Sequence, residues 1–131
     1  MTSRVIAVAL DCRDVEVLSA FWCAALGSAV LNRWHDATGK EYVEVGLGDG
    51  IRNAALLLQP VDEKKAGKNR MHLDITPMDT TQADEIARLV ARGATKLSDD
   101  PHQPWVVLAD PEGNEFCVLP GSAKTSETGG G

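Results

Sequence analysis

VIAVALDCRDVEVLSAFWCAALG, Val5 to Gly27, is written a second time in different letters as MHLDITPMDTTQADEIARLVARG, Met71 to Gly93. In the first copy, Val5 to Leu10 are β-branched or small apolar residues and predict a strand. Asp14 offers a helix cap, with Glu16 near the positive N-terminal end. Leu18, Phe21, Trp22 and Ala25 recur at i, i+3, i+4 and i+7, one apolar helical face, and Gly27 ends it. In the second copy Met71 to Thr76 alternates as a strand, and Asp79 or Thr80 starts a helix. Ala83, Ile86, Ala87 and Val90 repeat the apolar spacing before Gly93. Asp14 and Asp79 lie 65 positions apart, Gly27 and Gly93 66. The chain contains an internal duplication.

Three strands are expected after each helix. In the first half, Ala29 to Trp34 and Glu41 to Leu47 flank a turn through Asp36 to Gly39, and Ala54 to Gln59 follows a turn at Gly48 to Gly50. In the second half they are Ala94 to Leu97, Trp105 to Ala109 and Glu115 to Leu119, the last following the acidic turn Asp110-Pro-Glu-Gly-Asn114. The expected class is therefore α+β, two tandem βαβββ modules. One such module leaves a sheet face uncovered, so two are expected to share a core. Residues 1–120 read as a single domain of modules 1–62 and 69–120, joined through the polar loop from Pro60 to Asn69. Residues 121–131, rich in Gly, Ser and Thr, read as a disordered tail.

Composition narrows the function. The 131 residues are 44% hydrophobic and 24% charged, ordinary globular usage, with net charge −6. An acidic chain repels a phosphate backbone, and the one basic cluster, Lys64 to Arg70, reads as a solvated loop, so no nucleic acid is expected. The apolar run Val5 to Leu10 is too short for a membrane span or a signal segment, so no membrane is expected either. Three cysteines, Cys12, Cys23 and Cys117, form no CxxC and no even framework, which points to a reducing cytoplasm. GxSxG, Walker A and GxGxxG are missing from the sequence, leaving acyl transfer, nucleotide hydrolysis and dinucleotide binding unsupported.

Side chains alternate along strands. Ala7, Ala9 and Asp11 share one side, while Ile6, Val8 and Leu10 share the other. By duplication His72, Asp74 and Thr76 match the first set, and Met71, Leu73 and Ile75 the second. The bulky sets are expected against the helices and the others facing a hollow. Asp11 reads equally as a lining residue or a turn residue before Asp14. Trp22 is expected in the core. Trp34 and Trp105 stand at strand ends beside polar loops, placed either to stack on a planar ligand or to shield an edge. His35 and His102 are expected in solvent. Cys117 reads as a small buried hydrophobe.

The duplicated frame, the helix text DVEVLSAFWCAALG, the strand HLDI and the closing DPEGNEFCVL together resemble the vicinal oxygen chelate superfamily, in its glyoxalase-like and bleomycin-resistance branch. The resemblance spans Val5 to Pro120. It implies a cup-shaped, partly open eight-stranded sheet with the helices outside, and assembly as a homodimer. It also implies a divalent metal held by one side chain from each of four strands. The first and third ligands stand seven residues before the Asp that starts each helix, and the fourth seven past the Asp of the DPxGN turn. Those positions are Ala7, His72 and Cys117. The second belongs in Ala54 to Gln59, where Gln59 alone is polar. One imidazole and one thiol are too few donors for a tight site, so no metal and no cofactor are expected.

The reading that follows is a metal-free cup for a small molecule, aromatic or polycyclic and antibiotic-like, acting by sequestration. Its expected lining is His72, Asp74, Trp34, Trp105, Cys117, Ala7, Ala9 and Asp11. The alternative is a family enzyme, an isomerase, lyase or dioxygenase-like activity. It would use His72 with Asp11 or Asp74 at a non-standard metal site, or His72 and Asp74 as an acid–base pair. A third reading is a dimerisation module with a vestigial cup.

Overall fold

A computed structural model describes residues 2–48, 51 and 53–121. The tail at 122–131 and two residues of the expected second turn, Asp49 and Gly50, lie outside them. The chain divides into two compact units between Lys65 and Ala66. Each runs strand, helix, strand, strand, strand, the α+β pair of tandem βαβββ modules that the duplication requires.

In the first unit the elements are β1 (Ala7–Cys12), α1 (Val15–Leu26), β2 (Val30–His35), β3 (Glu41–Gly46) and β4 (Ala55–Pro60). The sheet order is β1-β4-β3-β2, with β1 and β4 parallel and the other pairs antiparallel. Asp14 caps α1 by accepting the backbone N–H groups of Glu16 and Val17, both at 3.1 Å. Gly27 closes it in the left-handed region, at φ 61°, where a side chain would be strained. Leu18, Phe21 and Trp22 are buried as expected, and the Phe21 and Trp22 rings meet edge to face at 5.1 Å. The helix lies against β3 and β4, whose Val43, Val45, Leu56 and Leu58 are at most 1% exposed. That alternating apolar side is this module's core.

In the second unit β5 (Leu73–Ile75), α2 (Gln82–Ala91), β6 (Thr95–Ser98), β7 (Val106–Ala109) and β8 (Glu115–Val118) repeat the order as β5-β8-β7-β6. Val106, Leu108, Phe116 and Val118 form its buried side. The DPEGN turn is a closed hydrogen-bonded unit. Buried Asp110 accepts from Glu112 N, Asn114 N and Asn114 Nδ2, while its own N–H donates to the Asn114 carbonyl. Gly113 supplies the positive φ, 94°, that this turn needs.

Three expectations need correction. First, both opening strands start later than their letters suggest. Val5 and Ile6 are exposed, because the ladder of β4 begins at Ala55, whose N–H takes the Ile6 carbonyl. Met71, also exposed, precedes a strand whose first ladder pair is Leu73 with Phe116. Its would-be partner region is occupied by the Asp110–Asn114 turn.

Second, α2 starts at Thr81, not at Asp79 or Thr80. The Thr81 hydroxyl accepts the Asp84 N–H at 3.1 Å. Third, the inward face of α2 is not the one its apolar spacing predicts, and Ala83, Ala87 and Val90 face outward. The inward residues are Gln82, Glu85, Ile86 and Leu89. Two of these are polar and escape a hydropathy count. Gln82 Nε2 donates to the Pro104 and Val118 carbonyls at 2.9 and 2.8 Å. Glu85 takes a two-point contact from Arg88 at 2.9 and 2.7 Å.

Candidate functional site

The ladders assign a side to six of the eight expected lining residues, Ala7, Ala9, Asp11, Trp34, Asp74 and Cys117. Asp74 stands opposite Cys117, and Cys117 opposite Val107. His72 precedes β5, and its ring reaches the Asp74 carboxylate on that side, while Trp105 stands in a bend just before β7. Asp74, Cys117 and Val107 lie on the side of the second sheet away from Phe116, Val118 and Leu108. In the first sheet Ala7, Ala9 and Asp11 stand opposite Ala55, Leu57 and Gln59. Leu57 pairs with Glu44, and Trp34 with Tyr42. These residues share the side away from α1. The first unit thus gathers Ala7, Ala9, Asp11 and Trp34 on one face of its sheet, and the second gathers His72, Asp74 and Cys117.

The second unit's face carries the denser chemistry. His72 Nδ1 lies 3.2 Å from Asp74 Oδ1. The Asp74 carboxylate is the nearest acidic neighbour acting on the Cys117 thiol. Ligand atoms of His72, Asp74 and Cys117 all fall within 4.8 Å of one another. Cys117 is buried at the base of this cluster, and the imidazole and carboxylate are partly exposed above it. Burial pushes the Cys117 thiol up, and the neighbouring Asp74 carboxylate adds to the effect, while Lys68 works weakly against both. A thiol held in its neutral form is a poor nucleophile at neutral pH. The cluster is anchored from behind. Asn69, in the segment leading to His72, donates its N–H to Glu115 Oε1 at 3.1 Å and its Nδ2 to Asn114 Oδ1 at 3.2 Å.

The closing bonds of the two parallel ladders show which residues correspond. Val61 N donates to the Cys12 carbonyl and Leu119 N to the Ile75 carbonyl, both at 2.8 Å. Cys12 therefore matches Ile75, Asp11 matches Asp74, Gln59 matches Cys117, and Ala9 matches His72. Counting back from the helix caps pairs His72 with Ala7 instead. The slip is two residues, which preserves every side assignment. In the first unit the cluster reads Ala9, Asp11 and Gln59, with Gln59 Nε2 3.4 Å from Asp11 Oδ1. Asp11 is a strand residue, not part of a turn.

The aromatic element was only half visible. Trp34 stacks on Tyr42 at 5.5 Å with rings 6° from parallel, and Tyr42 Oη donates to Asp36 Oδ2 at 3.2 Å. Equal spacing about the Asp36–Gly39 turn was the signal that could have found Tyr42. Trp34 is 37% exposed and Trp105 39%. His35 and His102 are exposed as expected, and Trp22 is buried.

The four-strand metal set implied by the resemblance is not met. Ala7 has no donor atom, and on its side of β4 only Gln59 is polar, already turned to Asp11. No helix among the described residues is long and apolar enough to cross a membrane.

Two βαβββ units of one sheet order, each with an open face bearing a few polar groups, define a tandem glyoxalase-like architecture. Residues 7–119 match the family model of the glyoxalase-like domain, and the chain belongs to that family. No curated protein matches its sequence. Among solved structures it is similar to a fosfomycin resistance protein, FosX, of Listeria monocytogenes in complex with Mn(II) and a dihydroxypropylphosphonic acid. The TM-score is 0.73 at 14% identity, covering 97% of this chain and 99% of that one. The trypanothione-dependent glyoxalase I of Leishmania major gives 0.68 at 17%, covering 98% and 94%. A glyoxalase/bleomycin resistance protein/dioxygenase family enzyme of Burkholderia phytofirmans gives 0.63 at 17%, covering 88% and 97%. At these identities the likeness is one of fold.

Proposed function

We propose that this chain binds a small, planar aromatic molecule of antibiotic type and sequesters it, without the family's metal held across four strands. The observation that supports this reading most is the pair of alanines, Ala7 and Ala9, on the open face of the first sheet. Methyl groups there leave room instead of donors. On that first unit the half-exposed Trp34 suits stacking; on the second, half-exposed Trp105 does likewise and His72, Asp74 and Cys117 offer polar contacts. Two similar folds, one named for fosfomycin and one for bleomycin resistance, are consistent with a protective role. A cytoplasmic homodimer belongs to the same reading. The test is a titration of planar antibiotics against tryptophan fluorescence, with mass spectrometry of the recovered compound. Quenching with the guest recovered intact supports sequestration, and no quenching by any planar compound overturns it.

A second reading rests on the 3.2 Å contact between His72 and Asp74. A carboxylate orienting an imidazole is an acid–base arrangement, which would make the chain an isomerase, lyase or dioxygenase-like enzyme. A chemically altered guest in the same experiment, with turnover lost in His72→Ala, would favour it.

A further inference from the structure

We propose that the guest of this chain is a cation, a planar aromatic bearing a protonated amine, an amidinium or a guanidinium, and that Glu44 of the first module is the carboxylate that recognises it. This rests on the ligand-binding reading above and specifies its chemistry. No motif or spacing singles Glu44 out; the ladder does. Across the sheet, Ala9 stands opposite Leu57, Leu57 opposite Glu44, and Glu44 opposite Asn32. That row places a carboxylate on the inner strand β3, on the side away from α1, between an isobutyl group and an amide. Tyr42 lies on the same side of β3, two residues or about 7 Å away by strand rise, and it stacks on Trp34. A single fused-ring guest can reach both the stack and the carboxylate.

Charge and packing agree. An opposite charge facing Glu44 across the ladder would stabilise the sheet, yet both of its ladder neighbours are uncharged. Glu44 is half-buried, and among the described residues its carboxylate has no hydrogen-bond or ion-pair partner. A carboxylate partly withdrawn from water without a partner costs stability, which an arriving cation offsets. The basic residues of β2 and the turn after it are committed elsewhere. Arg33, opposite Val43, points to the α1 side and lies 2.7 Å from Glu16 and 3.4 Å from Glu41. Lys40 Nζ lies 2.9 Å from Asp62. On the side away from α1 the ladder residues therefore include the carboxylates of Asp11 and Glu44 and no basic group. The rings of Trp34 and Tyr42 add π faces that attract a cation. A phosphonate or carboxylate guest is repelled from the same place. The chain's net charge of −6 acts in the same sense and speeds the encounter with cations at low salt.

Tryptophan-fluorescence titration of the full chain with probes built on one tricyclic frame tests the charge. Proflavine is the cation, acridone the neutral probe and acridine carboxylate the anion. Proflavine is expected to bind about fivefold more tightly than acridone, with the anion weakest and the advantage of proflavine shrinking as salt rises. Glu44→Gln should remove most of that advantage and leave acridone binding unchanged, with circular dichroism confirming the native fold. Asp79→Asn, the same charge change in the other module, should leave proflavine binding intact, which separates the site from net charge. Equal binding of proflavine and acridone, or proflavine binding undiminished in Glu44→Gln, overturns the proposal while sequestration stands. If none of the probes binds, the sequestration reading fails and the cationic guest falls with it.

Discussion

Asp74 and Cys117 face each other across the parallel β5–β8 ladder, as Asp11 and Gln59 do across β1–β4. The duplication thus preserved an acidic residue on the opening strand of each module and a partner on the closing strand. The partner's chemistry diverged, amide in one copy and thiol in the other.

This relationship governs the reactivity of Cys117. Burial first, and the Asp74 carboxylate second, hold the thiol above its ordinary range. Iodoacetamide should therefore alkylate it far more slowly at neutral pH in the native protein than in urea. The folded state binds that proton more tightly than the unfolded chain. The associated stability is thus complete below the ordinary thiol range and is lost as pH rises through the raised value. Chemical denaturation at several pH values should show this loss, and Cys117→Ala should flatten it. Equal alkylation rates with and without urea would refute the assignment.

The start of α2 is testable by two single changes. Thr81→Ala removes the hydroxyl that accepts the Asp84 N–H and should cost about 1 kcal/mol. Asp79→Ala, outside the helix, should change the urea midpoint little. The opposite ranking would restore the start read from the letters.

Tyr42 is expected to hold Trp34 in place. Tyr42→Ala should lower stability by about 1 kcal/mol and raise the mobility of the indole. Fluorescence anisotropy and quenching by iodide report on that mobility. Tyr42→Phe should keep the stack while giving up the bond to Asp36.

Asp110 is a buried carboxylate outside the apolar core. It is 2% exposed and accepts from three donors, Glu112 N, Asn114 N and Asn114 Nδ2, the last reaching both carboxylate oxygens. Asp110→Ala leaves those donors without their carboxylate and should cost on the order of 3 kcal/mol in urea denaturation. A loss under about 1 kcal/mol would mean that the turn is held by its backbone alone.

Gly121 closes the described chain against the loop before α2. An added Cβ would meet the Thr80 carbonyl at 2.7 Å and Pro77 at 3.1 Å. Gly121→Ala should therefore destabilise by about 1 to 3 kcal/mol, read as a lowered melting temperature.

Much of this was legible in the letters. Asp14 and Gly27 cap α1 as their chemistry demands, and the two βαβββ modules follow from period-2 and period-3.6 patterns on either side of clear turns. Ala7, Ala9 and Asp11 share one side of β1, as alternation along a strand dictates. The inward face of α2 was not legible, because Gln82 and Glu85 are buried through hydrogen bonds that no hydropathy pattern registers. Tyr42 was missed because the stack arises from hairpin register.

By itself, then, the sequence determined whatever depends on near neighbours: where α1 starts, how a turn closes, and which side of a strand a residue occupies. Tertiary structure alone decided which residues meet. Asp74 and Cys117 are far apart in the chain, and their pairing follows from the register of two parallel strands, set by packing over the whole module. The gathering of imidazole, carboxylate and thiol on one open face is a consequence of that register.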